Sequence, residues 1–246
     1  MNHDYKYKKM IVFEGVDGAG KTTQINMLEQ YLRDNHRKVV KIHCPDYSYY
    51  TGMLIKDILQ GRISDNPDDI NLYAFSTMYA IDRYMVVNSI YREYFYNEDN
   101  DNDYYILMDR YTQSNLIHQG AKLIQSVDDA FNHDKDIWET TEMLLRHYGK
   151  WLYRLEYEEM KLPRPDKVLY LSIPPDISRD RVLYRGNPDI HESESYIARS
   201  AISGDFYANY YKWDIIDCYD TEHNTQKSIL EVHKDILDVL RRDDIL

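Results

Sequence analysis

The stretch "FEGVDGAGKTTQ", Phe13 to Gln24, lies between the apolar run "KMIVFEG" and the segment "INMLEQYL", whose Ile25, Leu28, Tyr31 and Leu32 recur at helical spacing. Gly15, Gly20, Lys21 and Thr22 satisfy GxxxxGK[ST] between a predicted strand and a predicted helix, the context in which that spacing makes a phosphate-binding loop. The chemistry dictates the residue types. Glycines let backbone N–H groups converge on phosphate oxygens with no Cβ in the way, and the helix N-terminus adds partial positive charge. Lys21 supplies a mobile full charge for the β- and γ-phosphates, and the Thr22 hydroxyl suits a Mg2+ ligand. Asp17, Gly18, Ala19 and Thr23 complete a loop expected to cradle the phosphates of a nucleotide. The structural alternative is a chance glycine-rich turn before a helix, and the flanking strand and helix weigh against it.

Outward from the loop, short apolar runs predict strands at 10–15, 38–44, 104–109, 167–173 and 213–218. Helical patterns fill the intervals, ending with Ile229, Val232, Ile236 and Val239 near the C-terminus. Strand and helix in alternation imply an α/β fold: a five-stranded parallel sheet with helices on both faces, three layers in all. Strands that read as continuous apolar runs fit a sheet buried on both sides. No repeat or linker splits the chain, so residues 1–246 are read as one domain. The acidic run 97–105 reads as a solvated loop. The segment "YRGNPDIHESES", 184–195, reads as a flap, part of a mobile lid over about 178–195. The segment 128–160 is helical in pattern, and no spacing in it suggests chemistry.

Composition excludes some partners. With 42 Asp and Glu against 30 Lys and Arg, the formal charge is −12, so the surface repels phosphate backbones and a nucleic-acid polymer is not expected. A small anion in a local basic pocket remains compatible. Cys44 and Cys218 make no metal spacing and read as reduced thiols. No signal peptide or apolar span of membrane length is visible, so a soluble chain in the cytoplasm is expected, or in a host's cytoplasm if the gene is viral. The 25 tyrosines are compatible with coding bias and are not read as a binding platform.

A phosphate loop alone leaves GTPases, motor ATPases and small-molecule kinases open. The chain has no "NKxD", no "DxxG" after a strand and no second motor signature, which weakens the first two. Asp109 ends a predicted strand and is placed to serve as a carboxylate on the metal side, directly or through water.

The chain resembles the thymidylate kinases at several points. The loop with Asp17 inside it is similar to that family's P-loop, and "DRYTQSNLIHQGA", 109–121, resembles its second signature, a DRY motif followed by a Ser-Asn pair. "YAIDRY" (79–84), "LPRPDKVLYLSIPPDIS" (162–178), "DIHE" (189–192) and "WDIIDC" fall in the family's order, so the likeness covers nearly the whole chain. It implies a P-loop NTPase fold, transfer of phosphate from ATP to dTMP with Mg2+ in dTTP biosynthesis, and a homodimer.

The resemblance also implies a dTMP site. Tyr79 and Arg83 stand four apart on a predicted helix and project from one face, able to stack on a base and donate to a carbonyl. Read without the resemblance, Tyr79 is a core aromatic and Arg83 a solvated charge. By family match Arg83 and Asn115 meet thymine O4 and N3–H. Cytosine reverses both polarities, whereas uracil lacks only a methyl group, worth about 1 to 3 kcal/mol, so dUMP should be a poorer substrate. Ser114 and Gln119 belong to the same wall, and Arg110 is expected to clamp the acceptor 5′-phosphate. Asp17 matches the carboxylate near the 3′-OH.

Three departures qualify the match. His118 stands where the family often has an aromatic near the sugar. Tyr47, two residues after Pro45, replaces an arginine found in some members; Pro45 and Tyr47 are still expected to line the pocket. Gly18 brings no arginine to the loop, so the catalytic cation must come from Arg179, Arg181 or Arg185. Arg185 beside Gly186 is taken as catalytic and Arg181 as an ATP contact, with Glu192 holding a lid arginine when ATP is absent. The rival readings are a deoxynucleoside kinase or another nucleoside monophosphate kinase and, from a different class, a nucleotide-binding module without catalysis.

Overall fold

A computed structural model describes residues 9–63, 70–96, 104–131, 137–184 and 194–246. Five parallel strands form the central sheet: β1 (Lys9–Glu14), β2 (Lys38–His43), β3 (Tyr104–Asp109), β4 (Lys167–Ser172) and β5 (Asp214–Asp217). Their order is β2-β3-β1-β4-β5, so the loop after β1 emerges from the middle of the sheet. All five predicted strands are present, each end within a residue of expectation.

Alternation along the strands feeds two separate cores. Met10, Val12, Ile106, Met108, Val168 and Tyr170 pack on one face. Ile11, Phe13, Leu107, Leu169 and Leu171 pack on the other. The expectation of strands buried on both sides holds for β1, β3 and β4; in the edge strand β2, exposed Lys38, Lys41 and His43 interrupt the pattern because only one neighbour covers it.

The helices are α1 (Lys21–Asp34), α2 (Tyr50–Leu59), α3 (Leu72–Met85), α4 (Arg92–Tyr96), α5 (Thr112–Phe131), α6 (Trp138–Tyr153), α7 (Pro175–Tyr184), α8 (Glu194–Tyr211) and α9 (Ile229–Arg242). In α1 the buried residues Lys21, Gln24, Ile25, Leu28 and Leu32 follow the 3.6-residue period. In α9 a capping box joins Ser228 and Glu231. Its buried stripe is Val232, Ile236 and Leu240, which corrects the expected register: Ile229 is exposed at the first turn and Val239 only partly covered.

Four features were not read from sequence. π-helical turns extend α3 (Val86–Ile90) and α6 (Arg154–Glu159). A small hairpin, β6 (Tyr219–Asp220) with β7 (Thr225–Gln226), leads into α9. The helical segment 128–160 is two elements, the end of α5 and then α6 with its π turn. Of the expected lid, 178–184 belongs to α7 and 194–195 opens α8, while 185–193 lies outside the described residues, as do residues 97–103 of the acidic loop. Both cysteines are free and buried. Among the described residues no helix is long and apolar enough to cross a membrane.

Candidate active site

The loop between β1 and α1 reaches α1 through Gly20, left-handed at φ 98° and with no side-chain cap on the helix start. Lys21 curls over this loop. Its Nζ donates to the carbonyls of Gly15 (2.9 Å) and Val16 (3.0 Å) and lies 4.0 Å from Asp17. Burial, with help from the Arg110 cation, lowers Lys21 to about 8 against the pull of Asp17, Asp109 and Glu14. Thr22 Oγ1 donates to Asp109 Oδ2 at 3.3 Å, bringing the helix start to the end of β3. Burial disfavours the charge of Asp109, but the hydrogen bond from His43 and the fields of Arg110, His43 and Lys21 outweigh it and keep the carboxyl below its usual range.

The turn after β3 is held by a residue the sequence reading missed. Glu14, fully buried at the end of β1, accepts from the Tyr111 N–H (2.8 Å) and Ser114 Oγ (2.7 Å). Burial raises its carboxyl despite Arg110, Ser114, Tyr111 and Lys21. A carboxylate inside an otherwise apolar strand was the available signal. Arg110 itself is left-handed at φ 70°, a conformation a non-glycine side chain adopts only at a cost. Its guanidinium closes on Asp17 and donates to Ser114 Oγ (3.4 Å) and His118 Nε2 (2.8 Å). Since a guanidinium only donates, His118 Nε2 accepts, and Nδ1 carries the proton toward the Tyr196 hydroxyl at 3.1 Å. Burial opposes the charge on Asp17, yet the Arg110 and Lys21 cations and the hydrogen bond from Arg110 hold its carboxyl far below the usual range.

Two cavities flank this cluster. One, of about 310 Å³, is lined by Asp17, Pro45, Tyr47, Tyr79, Arg83, Arg110, Ser114, Asn115, His118 and Gln119. The ten residues expected around dTMP thus meet in one place, joined by His43, Cys44, Leu59 and Tyr196, which sequence reading did not find. Tyr79 both packs on Phe75 at 4.9 Å and walls the cavity. Asn115 Nδ2 donates to the Ser76 carbonyl at 3.1 Å, which turns its amide oxygen to other partners. Arg83 is not a solvated charge: only 2 % exposed, it forks onto the buried Glu156 through Nε (2.8 Å) and Nη2. Glu156 lies in the segment 128–160, where no spacing had suggested a partner for Arg83.

The other cavity, about 600 Å³, is lined by Gly18, Ala19, Gly20, Thr23, Gln24, Ile177, Arg181, Gln226 and Ile229, among others. Arg181 is anchored across it, Nη1 to the Gly18 carbonyl (2.9 Å) and Nη2 to Gln226 Oε1 (2.8 Å). Arg179 points elsewhere, pairing with Asp180 and with Glu194 of α8. Arg185 and Glu192 lie outside the described residues.

A phosphate loop at the centre of a parallel sheet, with one cavity along it and a second, cation-lined cavity beside it, defines a P-loop kinase of small phosphorylated molecules. The family model "Thymidylate kinase" matches residues 13–135, half of the chain. The chain is 25% identical over 229 residues to a thymidylate kinase of Thermosipho africanus (strain TCF52B), covering 91% of this chain and 98% of that one. It is 24% identical over 237 residues to a thymidylate kinase of Plasmodium falciparum (isolate 3D7), covering 96% and 91%. In three dimensions it is similar to a solved thymidylate kinase of Candida albicans, with a TM-score of 0.68 and 20% identity over 97% of this chain and 93% of that one. The chain belongs to the thymidylate kinase family, ATP-dependent kinases whose reaction is the phosphorylation of dTMP.

Proposed function

We propose that this chain carries out that reaction with the residues brought together here: ATP fills the larger cavity, dTMP the smaller, and the γ-phosphoryl group crosses at the Asp17–Gly18 peptide. The observation that carries the assignment is that neighbouring residues of one loop line the two cavities, Asp17 the acceptor side and Gly18 the donor side.

The transferred group needs positive charge and hydrogen-bond donors around its oxygens more than covalent help. Lys21 would leave the Gly15 and Val16 carbonyls for the β- and γ-phosphates, joined by loop N–H groups at the start of α1. Arg110 would leave Asp17 for the acceptor phosphate, and Asp17 would then take the sugar 3′-OH, a charge-assisted bond. Tyr79 stacks on the base, Asn115 offers its amide oxygen to N3–H and Arg83 a donor to O4. Arg181, already fixed, frames the donor nucleotide. The sequence assigns the catalytic cation to Arg185.

Mg2+ is expected with ATP, and the oxygen donors fit it: an ionised Asp109 within 3.3 Å of Thr22 Oγ1. Among the described residues no group of three or more His, Cys, Asp or Glu forms a cage, as befits an ion held largely by phosphates and water. When bound, it neutralises charge on the β- and γ-oxygens; Thr22 and Asp109 would hold it. We further propose a cytoplasmic homodimer. Exposed Tyr50, Met53 and Leu54 of α2 and Ile81, Tyr84 and Met85 of α3 give a second copy an apolar surface to cover.

A coupled ADP-release assay with dTMP, dUMP, dCMP, dGMP and thymidine tests the function. The expected order is dTMP first, dUMP weaker and dCMP, dGMP and thymidine near background. Preference for thymidine would indicate a nucleoside kinase, and silence with every acceptor would leave a binding module.

A further inference from the structure

Arg83 and Glu156, 73 residues apart, form a pair that is 2 % and 0 % exposed, and the carboxylate has a third partner. Thr112 Oγ1, at the first residue of α5, donates to Glu156 Oε2 at 2.6 Å, the same oxygen that accepts from Arg83 Nε. Three elements therefore converge on one carboxylate: α3, α5 and the π turn after α6. That turn places Glu156 and Tyr157 side by side in the interior. π turns are rare and recur at functional sites.

Stability alone does not account for such a pair. Desolvating two charges consumes most of what their attraction returns, and apolar residues of similar volume fill such a site as well or better. Nor is the pair sealed in the core, because Arg83 lines the acceptor cavity beside Tyr79 and Asn115. An unrestrained arginine would be a poor reader of a base: its long side chain samples many rotamers, and ordering it on binding is costly. With Nε and Nη2 engaged, the guanidinium plane is fixed and Nη1 is the nitrogen outside the fork. On the adjacent helix, Asn115 has its amide hydrogens turned to Ser76 and its oxygen left to accept. The wall thus offers one fixed donor and one fixed acceptor, the complement of a carbonyl next to a ring N–H.

We propose that Glu156 is the positioning residue for acceptor-base recognition: its fork on Arg83 aims Nη1 at the 4-carbonyl of the pyrimidine and thereby sets the preference for thymine over cytosine. The assignment rests on the dTMP reading above. Glu156 touches no substrate; it acts through Arg83.

The test is steady-state kinetics of the full chain with dTMP and dCMP at saturating ATP. Glu156→Gln keeps the shape but weakens the fork. It should raise KM for dTMP about tenfold, the scale of one hydrogen bond to a charged group, change kcat less than about threefold and leave KM for ATP alone. The ratio of kcat/KM for dTMP over dCMP should fall by about tenfold as well. A Glu156→Gln enzyme with parental KM and parental discrimination overturns the proposal. So does one that loses kcat toward both acceptors equally, the mark of a merely structural role. Should that variant fail to fold, the double variant Arg83→Met with Glu156→Leu carries the test, since it leaves no unpaired charge. It should unfold cooperatively and have lost its dTMP preference; a folded double variant that still prefers dTMP refutes the assignment. A parent enzyme inactive on dTMP would instead overturn the functional reading itself, and this assignment with it.

Discussion

Arg110 and Asp17, 93 residues apart in sequence, close on each other at the junction of the two cavities, and Arg110 reaches that pairing from a left-handed backbone. Under the proposed reaction Arg110 turns to the acceptor phosphate and Asp17 to the 3′-OH, so dTMP would separate the two. Asp17→Asn should therefore have opposite effects at the two ends of the acceptor. The phosphate clamp is released without competition, while the 3′-OH loses a charged acceptor. Expected is a selectivity change: the advantage of dTMP over its 3′-deoxy analogue, measured as a ratio of kcat/KM, shrinks by about tenfold. An unchanged ratio removes Asp17 from sugar recognition.

Lys21→Ala removes the only lysine of the loop. Turnover should fall roughly 10²- to 10³-fold, since the charge acts where the transferred group develops its own. Binding of dTMP, followed by calorimetry without ATP, should change little, because Lys21 does not line the acceptor cavity. Comparable losses in both would mean that the loop has collapsed.

The same lysine should make ATP binding depend on pH. In the free chain burial brings Lys21 to about 8, whereas triphosphate oxygens beside it would favour the protonated form. Affinity should then be full below pH 8 and decline as pH rises through 8, by up to about tenfold per unit, because binding must take up a proton. Calorimetry at pH 8.5 in two buffers of different ionisation enthalpy reads this directly. Zero net proton uptake would contradict it.

The two arginines at the donor end should separate by kinetic signature. Arg181 is held by the Gly18 carbonyl and Gln226 before any ligand arrives, so Arg181→Ala should raise KM for ATP about tenfold and leave KM for dTMP unchanged. Arg185→Ala should lower kcat more than it raises either KM. The reverse assignment would follow if Arg181→Ala proved to be the kcat variant.

Gly18 tests how closely α7 packs on the phosphate loop. A Cβ there would lie 2.9 Å from the Ser178 carbonyl oxygen and 3.3 Å from Arg181 Cβ, on a backbone at φ +80°. Gly18→Ala should cost about 1 to 2 kcal/mol, a few degrees in Tm by calorimetry, and should raise KM for ATP because Arg181 must shift. A variant as stable and as active as the parent would show that α7 gives way freely.

Much of this molecule was legible in one dimension. The residues of the proposed dTMP wall were gathered by the resemblance to the thymidylate kinases, whereas the strands and their bounds follow from apolar runs and the phosphate loop from a spacing whose every residue has a chemical reason. These are local patterns, set by the periods of helix and strand, and a sequence states them outright. Tertiary structure alone decided who answers whom across the fold. Nothing near Arg83 in sequence announces Glu156, and nothing near Arg110 announces Glu14, because buried charges are satisfied by whatever element the topology packs against them. The same reason explains why Arg181 proved anchored rather than free, and why an acidic residue in a stretch without evident chemistry came to sit behind the Arg83 guanidinium that lines the smaller cavity.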